Sequence, residues 1–379
     1  MKSLTVGLVL DDSLDRPDGV QQRVLRLGEW LRAQGHDVHY IVSETKRADI
    51  QNIHSVARSL KVSFNGNVLR IPRLASKTEL VELCNKYEFD VLHVQMPYSP
   101  FMSGRLIANT TVPVVGTFHI LPYGSIASVG TQLLGAFQAE TLRRFRRTSA
   151  TSVAAQQFAE RTYRVKPEVI PNPVDLRQFA ATKSDKKRTD MPCRIVFLGR
   201  LVERKGALHL LKALAALSPE ARKIINVDIV GDGPDGPKLR SFVQLHKLQS
   251  QVTFHGFVDE GEKPKLLAAA DIAVFPSTAG ESFGIVLVEA MASGAGVVIG
   301  GNNPGYRCVL GDWPECLFDP TDSTAFARTL EGFISDKSLR NRLGRQQSEA
   351  VKQYDIAVVG KQFLTLYDKA ILDSRADLA

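Results

Sequence analysis

The chain holds only four cysteines in 379 residues. Cys84, Cys193, Cys308 and Cys316 form no CxxC pair and have no histidine at metal-ligand spacing. That pattern excludes a disulfide scaffold or a zinc ribbon and predicts reduced, mostly packed thiols of a cytosolic protein. Long apolar runs are also missing. The first, Val6 to Leu10, is cut off by Asp11 and Asp12, so no signal peptide and no membrane-spanning segment is expected. Asn109-Thr110-Thr111 therefore lacks the secretory context that would make it a glycosylation site. No repeat period points to a solenoid. No RNA- or DNA-binding motif is present, so nucleic acid is not an expected partner. Neither a metal nor a cofactor is expected.

With 44% hydrophobic and 23% charged residues, the composition is that of a soluble globular protein long enough for two α/β domains. The net charge of +8 predicts attraction to something anionic, a nucleotide or an acidic membrane surface. A cytoplasmic location follows, with peripheral attachment to the cytoplasmic membrane face as the finer expectation.

Apolar runs alternate with helical patterns. Strands are expected at Leu4 to Leu10, Val38 to Val42, Asn67 to Ile71, Asp90 to Val94, Pro113 to Thr117 and Thr151 to Ala154, and a helix over Val20 to Leu31. Such βαβ alternation predicts a parallel sheet covered on both faces. The polar stretch Ala181 to Asp190 reads as a connector. A second series follows at Cys193 to Leu198, Ile224 to Val230, Val252 to Phe254, Ile272 to Phe275 and Val297 to Ile299. The last helix begins after Asp355, with Ile356, Val359, Phe363 and Tyr367 on one apolar stripe. The expected domains are 1–175 together with 355–379, and 190–354. They read as two Rossmann-like β/α/β domains facing across a cleft, with the C-terminal helix crossing back to the first.

The second series contains Gly280-Glu281-Ser282-Phe283-Gly284-Ile285-Val286-Leu287-Val288-Glu289, a strand exit, polar loop and helix start. Unpaired N–H groups from Gly284 through Ile285 to Val286 suit a phosphate. Glu281 before it and Glu289 after it suit sugar hydroxyls, one carboxylate for each sugar of a nucleotide sugar. The alternative is a buried helix with one solvated and one satisfied glutamate. Arg200 and Lys205 flank a helix-opening loop and together suit a diphosphate, or are plain surface charges. Gly231-Asp232-Gly233-Pro234 makes a tight turn whose glycines permit close approach to a base or ribose. In the first series, Gly19 opens a helix that could face a phosphate. Asp15 binds an acceptor hydroxyl or is a turn residue. His119 ends a strand and donates to a sugar hydroxyl or holds a backbone carbonyl. Four arginines around Phe145 (Arg143, Arg144, Arg146, Arg147) are expected on a helix end, either solvated or touching anionic lipid.

Taken together, these stretches resemble a retaining glycosyltransferase of family 4 with the GT-B fold. They are the loop around Gly19, Thr117-Phe118-His119, Pro171-Asn172-Pro173-Val174-Asp175, Gly199-Arg200 with Lys205-Gly206, Gly231-Asp232-Gly233 and the Glu281/Glu289 pair. Within the family, the chain is most similar to the phosphatidylinositol mannosyltransferases. The closer match runs over Gly280 to Ala292 and over Ser13 to Gln21. The resemblance implies catalytic roles for His119, Glu281, Arg200 and Lys205. It implies a donor site of Gly19, Arg200, Lys205, Gly231, Glu281, Phe283, Gly284, Ile285 and Glu289, and acceptor contacts at Asp15 and Gln21. It also implies GDP-mannose as donor and phosphatidylinositol or a related glycolipid or glycan as acceptor. Other readings are a UDP-sugar donor with a soluble acceptor, a nucleotide-sugar epimerase, or an inactive binding subunit. Two features depart from the family. Its loop pairs two glycines where this chain has Asp18 and Gly19. Its basic membrane-facing helix matches Lys77 to Lys86, which here carries Glu79 and Glu82.

Overall fold

Side-chain alternation along the first strand, β1 (Thr5–Leu10), divides the core of the N-terminal part of the molecule. Val6, Leu8 and Leu10 enter one apolar cluster and Val9 the other. The computed structural model describes residues 2–15, 19–64, 67–72, 75–97, 99, 101–119, 138–180 and 192–377. The chain divides into two units, Met1–Pro173 with Ile356–Ala379, and Val174–Asp355.

Among the described residues, the first unit holds a seven-stranded parallel sheet in the order β3-β2-β1-β6-β7-β8-β9. Its other members are β2 (Asp37–Val42), β3 (Ile53–Ser55), β6 (Val91–Gln95), β7 (Val114–Phe118), β8 (Phe145–Ala150) and β9 (Glu168–Val169). One face is covered by the helix Gly19–Ala33 and the C-terminal helix Ile356–Ala376. The expected stripe of that last helix, Ile356, Val359, Phe363 and Tyr367, is buried there. The other face packs against the helices Lys77–Tyr87, Met102–Ala108 and Val153–Tyr163.

Three local expectations are corrected. The strand expected at Thr151 to Ala154 is instead β8, six residues earlier at its start. Ser152 Oγ accepts a hydrogen bond from Ala155 N (3.1 Å) and caps the helix Val153–Tyr163. The arginine-rich stretch is not one helix. The helix ends at Arg143, and Phe145, Arg146 and Arg147 lie on β8. Burial of Phe145 and pairing of both arginines with the C-terminal helix outweigh the local helical pattern. The strand at Asn67 does not join the parallel sheet. β4 (Ser59–Phe64) and β5 (Asn67–Pro72) pair antiparallel as a separate ribbon. Only two residues separate them, far fewer than a parallel crossover needs.

The second unit holds a six-stranded parallel sheet, again among the described residues, in the order β12-β11-β10-β13-β14-β15. These are β10 (Cys193–Leu198), β11 (Ile225–Val230), β12 (Val252–Gly256), β13 (Ile272–Phe275), β14 (Val297–Gly301) and β15 (Leu317–Phe318). The unit begins with the short helix Leu176–Ala180, which packs on the helix Ile285–Ala292. The connector expected over 181–190 lies outside the described residues.

Candidate functional site

In the second sheet β10 neighbours both β11 and β13. The chain leaves β10 toward β11 and later returns to the other side at β13. Loops leaving the carboxyl ends of β10 and β13 therefore diverge, and a doubly wound sheet forms its ligand crevice at such a switch point. Both loops carry candidate residues: Gly199 to Gly206 after β10, and Pro276 to Gly284 after β13. Thr278 N donates to Arg204 O (2.9 Å) and ties the loops together, with Ser277 Oγ 3.0 Å from the same carbonyl oxygen.

Three donors converge there on one carboxylate oxygen. Lys205 Nζ lies 2.7 Å, Arg204 Nη1 3.1 Å and Ser277 Oγ 2.8 Å from Glu281 Oε1. Burial by itself would raise the pKa of this carboxyl. The Lys205 and Arg204 charges, with hydrogen bonds from Lys205 and Ser277, outweigh it and hold the pKa below the usual glutamate value. Among the described residues no donor reaches Oε2. The charged groups are only partly solvated, with side-chain exposures of 12% for Glu281, 20% for Lys205 and 21% for Arg204. Gly206, at φ 76°, makes this approach possible. A Cβ on it would sit 1.9 Å from Pro276 O.

Gly284, at φ 93°, starts the helix Ile285–Ala292, and no side chain caps that start. Uncapped first-turn N–H groups are an anion site in waiting. Glu289 is half-buried on the same helix, and Arg200 is half-buried in the loop after β10. Gly231 follows β11, and its N–H donates to Gly256 O at 2.8 Å. Phe283 differs from its expected role: its ring is buried edge-on to Tyr354, with centroids 5.4 Å apart. Arg204 and Ser277 were not singled out from sequence. The available signals were two adjacent cations at the turn into the helix, and a hydroxyl directly after a strand-ending Pro276.

The first sheet has its switch point between β1 and β6. Gly19 opens its helix; residues 16–18, Asp18 among them, lie outside the described set. Asp15 is engaged in loop structure. Its Oδ1 accepts from Thr45 Oγ1 and from Lys46 N, each at 2.7 Å. Gln21 is buried and donates through Nε2 to Asp12 Oδ2 at 3.0 Å, while its Oε1 has no partner among the described residues. His119 is buried, with Nε2 2.7 Å from Gln95 Oε1 and Nδ1 3.2 Å from Arg23 Nη1. Desolvation first, then the charge of Arg23 and the nearby His93, push its pKa well below the ordinary histidine value. Arg23 was missed in sequence. It interrupts the apolar stripe formed with Leu27 and Leu31, which is where a buried charge is legible.

The surface arginines are already paired. Arg147 Nε and Nη2 contact Asp373 at 2.7 and 3.1 Å, and Arg146 pairs with Asp377. Among the described residues no group of three or more His, Cys, Asp or Glu side chains could hold a metal ion, and no helix is long and apolar enough to cross a membrane.

Two family models match the chain in succession, Glycosyltransferase Family 4 over residues 17–178 and Glycosyl transferases group 1 over 179–350. The chain is 32% identical to the phosphatidyl-myo-inositol mannosyltransferase of Mycolicibacterium smegmatis over 370 residues, covering 96% of this chain and 94% of that one. It is 27% identical to the 2-deoxystreptamine glucosyltransferase of Streptomyces kanamyceticus, covering 84% and 86%. Among solved structures it resembles a glycosyltransferase from Rickettsia africae with a TM-score of 0.79 at 18% identity, covering 98% and 99%. Anabaena HepE in complex with UDP and glucose matches with a TM-score of 0.74 at 20% identity, covering 96% and 98%.

Proposed function

The chain belongs to glycosyltransferase family 4, and on that premise we propose that it moves a mannosyl group from GDP-mannose to an acceptor hydroxyl with retention of anomeric configuration. The acceptor is phosphatidylinositol or a related glycolipid. The convergence of Lys205 and Arg204 on Glu281 at the sheet's switch point carries this reading. Two cations against one carboxylate leave a positive surplus beside an uncapped helix start, the electrostatics a diphosphate leaving group requires. With both cations held on Oε1, Glu281 keeps Oε2 to accept from a sugar hydroxyl. Arg200 adds a third cation, and Glu289 accepts from the ribose.

In the proposed step the acceptor oxygen bonds to the sugar carbon on the face from which the nucleotide leaves. The carbon–oxygen bond to the diphosphate breaks, and the hydroxyl proton passes to the departing phosphate oxygen. Catalysis is then mostly positioning and stabilisation of leaving-group charge. Mannose and phosphatidylinositol rest on the names of relatives about 32% identical.

The test is thermal stabilisation by GDP, UDP and ADP, alone and as sugar conjugates, followed by transfer from the stabilising donor to phosphatidylinositol in vesicles. Saturation at a hundred times Kd adds roughly 2.7 kcal/mol. GDP-specific stabilisation, lost in Lys205→Ala, is the expected result. UDP-specific stabilisation overturns the donor, and no response to any nucleotide overturns the reading.

A second reading keeps the transfer but uses a UDP-sugar and a soluble or glycan acceptor. The observation favouring it is electrostatic. Arg146 and Arg147 are neutralised by Asp377 and Asp373, and the helix Lys77–Tyr87 balances its lysines with Glu79 and Glu82. Neither surface offers anionic lipid an unopposed field. Transfer to a water-soluble polyol at a rate unaffected by vesicles would establish this alternative.

A further inference from the structure

The loop after β13 rests on a third loop of the second unit, the one that follows β14. β14 ends at Gly301, and Asn303 caps the helix Pro304–Leu310. Asn303 is 3% exposed and Tyr306 1%. Asn303 Nδ2 donates to Ser277 O at 3.0 Å, and its Oδ1 accepts from Tyr306 N at 3.0 Å. One side chain therefore starts the helix and holds Ser277, whose Oγ lies 2.8 Å from Glu281 Oε1. Glycines let the backbones meet. A Cβ on Gly301 would lie 2.3 Å from Ser277 O, and one on Gly305 2.1 Å from Glu281 O.

Gly305 occupies a position that does not otherwise ask for glycine. It sits in the first turn of a helix and its φ is not positive, so alanine would form that turn better. What excludes a methyl group is Glu281, through its carbonyl oxygen and its Cβ, the latter 3.0 Å from the same point. Tyr306 fills the space beside the neighbouring helix start. A Cβ on Gly284 would lie 2.6 Å from its Cδ1. Burial first, then the nearby Glu281 charge, push the Tyr306 pKa well above the ordinary value, against the opposing Ser277 hydrogen bond and Arg204 charge.

Lys205 and Arg204 do not settle where Glu281 stands. Both are long side chains with several rotatable bonds, able to follow a carboxylate that moves. Packing against Gly305 and the chain of contacts from Asn303 through Ser277 leave it one place. We propose that Asn303 and Gly305 are positioning residues of the donor site, fixing the loop after β13 so that Glu281 meets the cations through Oε1 and turns Oε2 to the donor sugar. This rests on the transferase reading above and adds to it the residues that set the sugar contact. Their effect falls on the sugar and not on the nucleotide, because the diphosphate is left to the cations and to the helix start at Gly284.

The variants are Gly305→Ala, which presses a methyl group against Glu281, and Asn303→Ser, which keeps a capping oxygen and loses the reach to Ser277 O. Gly332→Ala is the control, since a Cβ there meets nothing within 4 Å. The first measurement needs no ligand: carboxyl ¹³C titration of glutamate-labelled protein, with the Glu281 signal assigned by its loss in Glu281→Gln. In both variants Glu281 should titrate about one pH unit or more above wild type, because burial persists while the contacts with Lys205, Arg204 and Ser277 loosen. The second is calorimetric affinity for GDP and GDP-mannose, or for UDP and UDP-glucose should wild type bind UDP instead. Relative to wild type, the ratio of the two affinities should shift roughly tenfold against the sugar conjugate, the contribution of a hydrogen bond to a charged group. Gly332→Ala should move neither quantity. A merely structural glycine or asparagine would lower stability and leave both the titration and the ratio in place. An unchanged Glu281 titration, or equal losses of GDP and GDP-mannose, overturns the proposal. Should Gly305→Ala not fold, Asn303→Ser decides. Wild-type protein that binds no nucleotide would count against the transferase reading, and the titration would still judge the positioning of Glu281.

Discussion

Lys205 Nζ and Glu281 Oε1 are 2.7 Å apart although the residues stand 76 positions apart in the chain. They meet because β10 and β13 are neighbours in the sheet, so the loops that follow them open side by side.

Glu281→Gln keeps the shape of this contact and removes its charge. At pH 7 the variant should unfold about 1–3 kcal/mol more easily in urea, since two partly buried cations lose their counter-charge. The folded pKa of Glu281 lies below its unfolded value. Its stabilisation is therefore present above the unfolded pKa and disappears as pH falls through the folded one. The gap between wild type and variant should narrow below about pH 4. A gap independent of pH would show that the charge is not what stabilises the loops.

Gly206→Ala places a methyl group 1.9 Å from Pro276 O at a positive φ. The expected cost is more than about 2 kcal/mol in the same urea assay. The distortion lies directly beside Lys205, so the melting shift produced by GDP should disappear as well. A stability loss with the nucleotide shift intact would separate the strained turn from the binding site.

Asp11 is buried, and burial pushes its pKa up to about 6 against the opposing hydrogen bonds from Ser99 and Ser103. The folded state therefore holds this proton more tightly than the unfolded state does. Stability contributed by Asp11 falls as pH rises from about 4 to 6 and stays lost above. Asp11→Asn should be more stable than wild type by about 1–3 kcal/mol at pH 8 and no more stable at pH 4, measured by urea unfolding at both values. Equal stability at pH 8 would refute the buried-proton account.

His54 and His39 share a 2.8 Å contact between ring nitrogens. Burial first, then the nearby His39 and Lys86, bring the pKa of His54 down to about 4. A depressed histidine favours folding while neutral, so stability should decline as pH drops from about 6.5 to 4. Scanning calorimetry of His54→Gln should show a shallower fall in melting temperature over that interval. An unchanged slope would place the acid sensitivity elsewhere.

Much of the architecture was legible because burial writes a period into the chain. The parallel strands β1, β2, β6, β7, β10, β11, β13 and β14, largely buried, read as short apolar runs with helical stripes between them. Legibility failed where long-range partners outvote the local pattern. Phe145 to Arg147 looked helical and became a strand, because Asp373 on the C-terminal helix and Asp377 just past its end, more than 200 residues later, take the arginines. Asn67 looked like one more parallel strand and paired back on Ser59 to Phe64 instead.

The candidate site divides in the same way. Glycines, cations and carboxylates at strand exits pointed from sequence to Lys205, Glu281 and Gly284, and the structure brings Lys205 against Glu281 and starts a helix at Gly284. The role of each side chain did not follow from its type. Phe283 turned into the core, and Asp15 became the staple between two loops. Arg204 joined Glu281, and Arg23 reached His119. Sequence by itself determined the alternation of strands and helices and the chemical groups available at the sheet edges, because both depend on neighbours a few residues away. Only tertiary structure decided which charges meet and which polar side chains face one another, because those depend on distances of about 3 Å between residues the chain separates by many tens of positions.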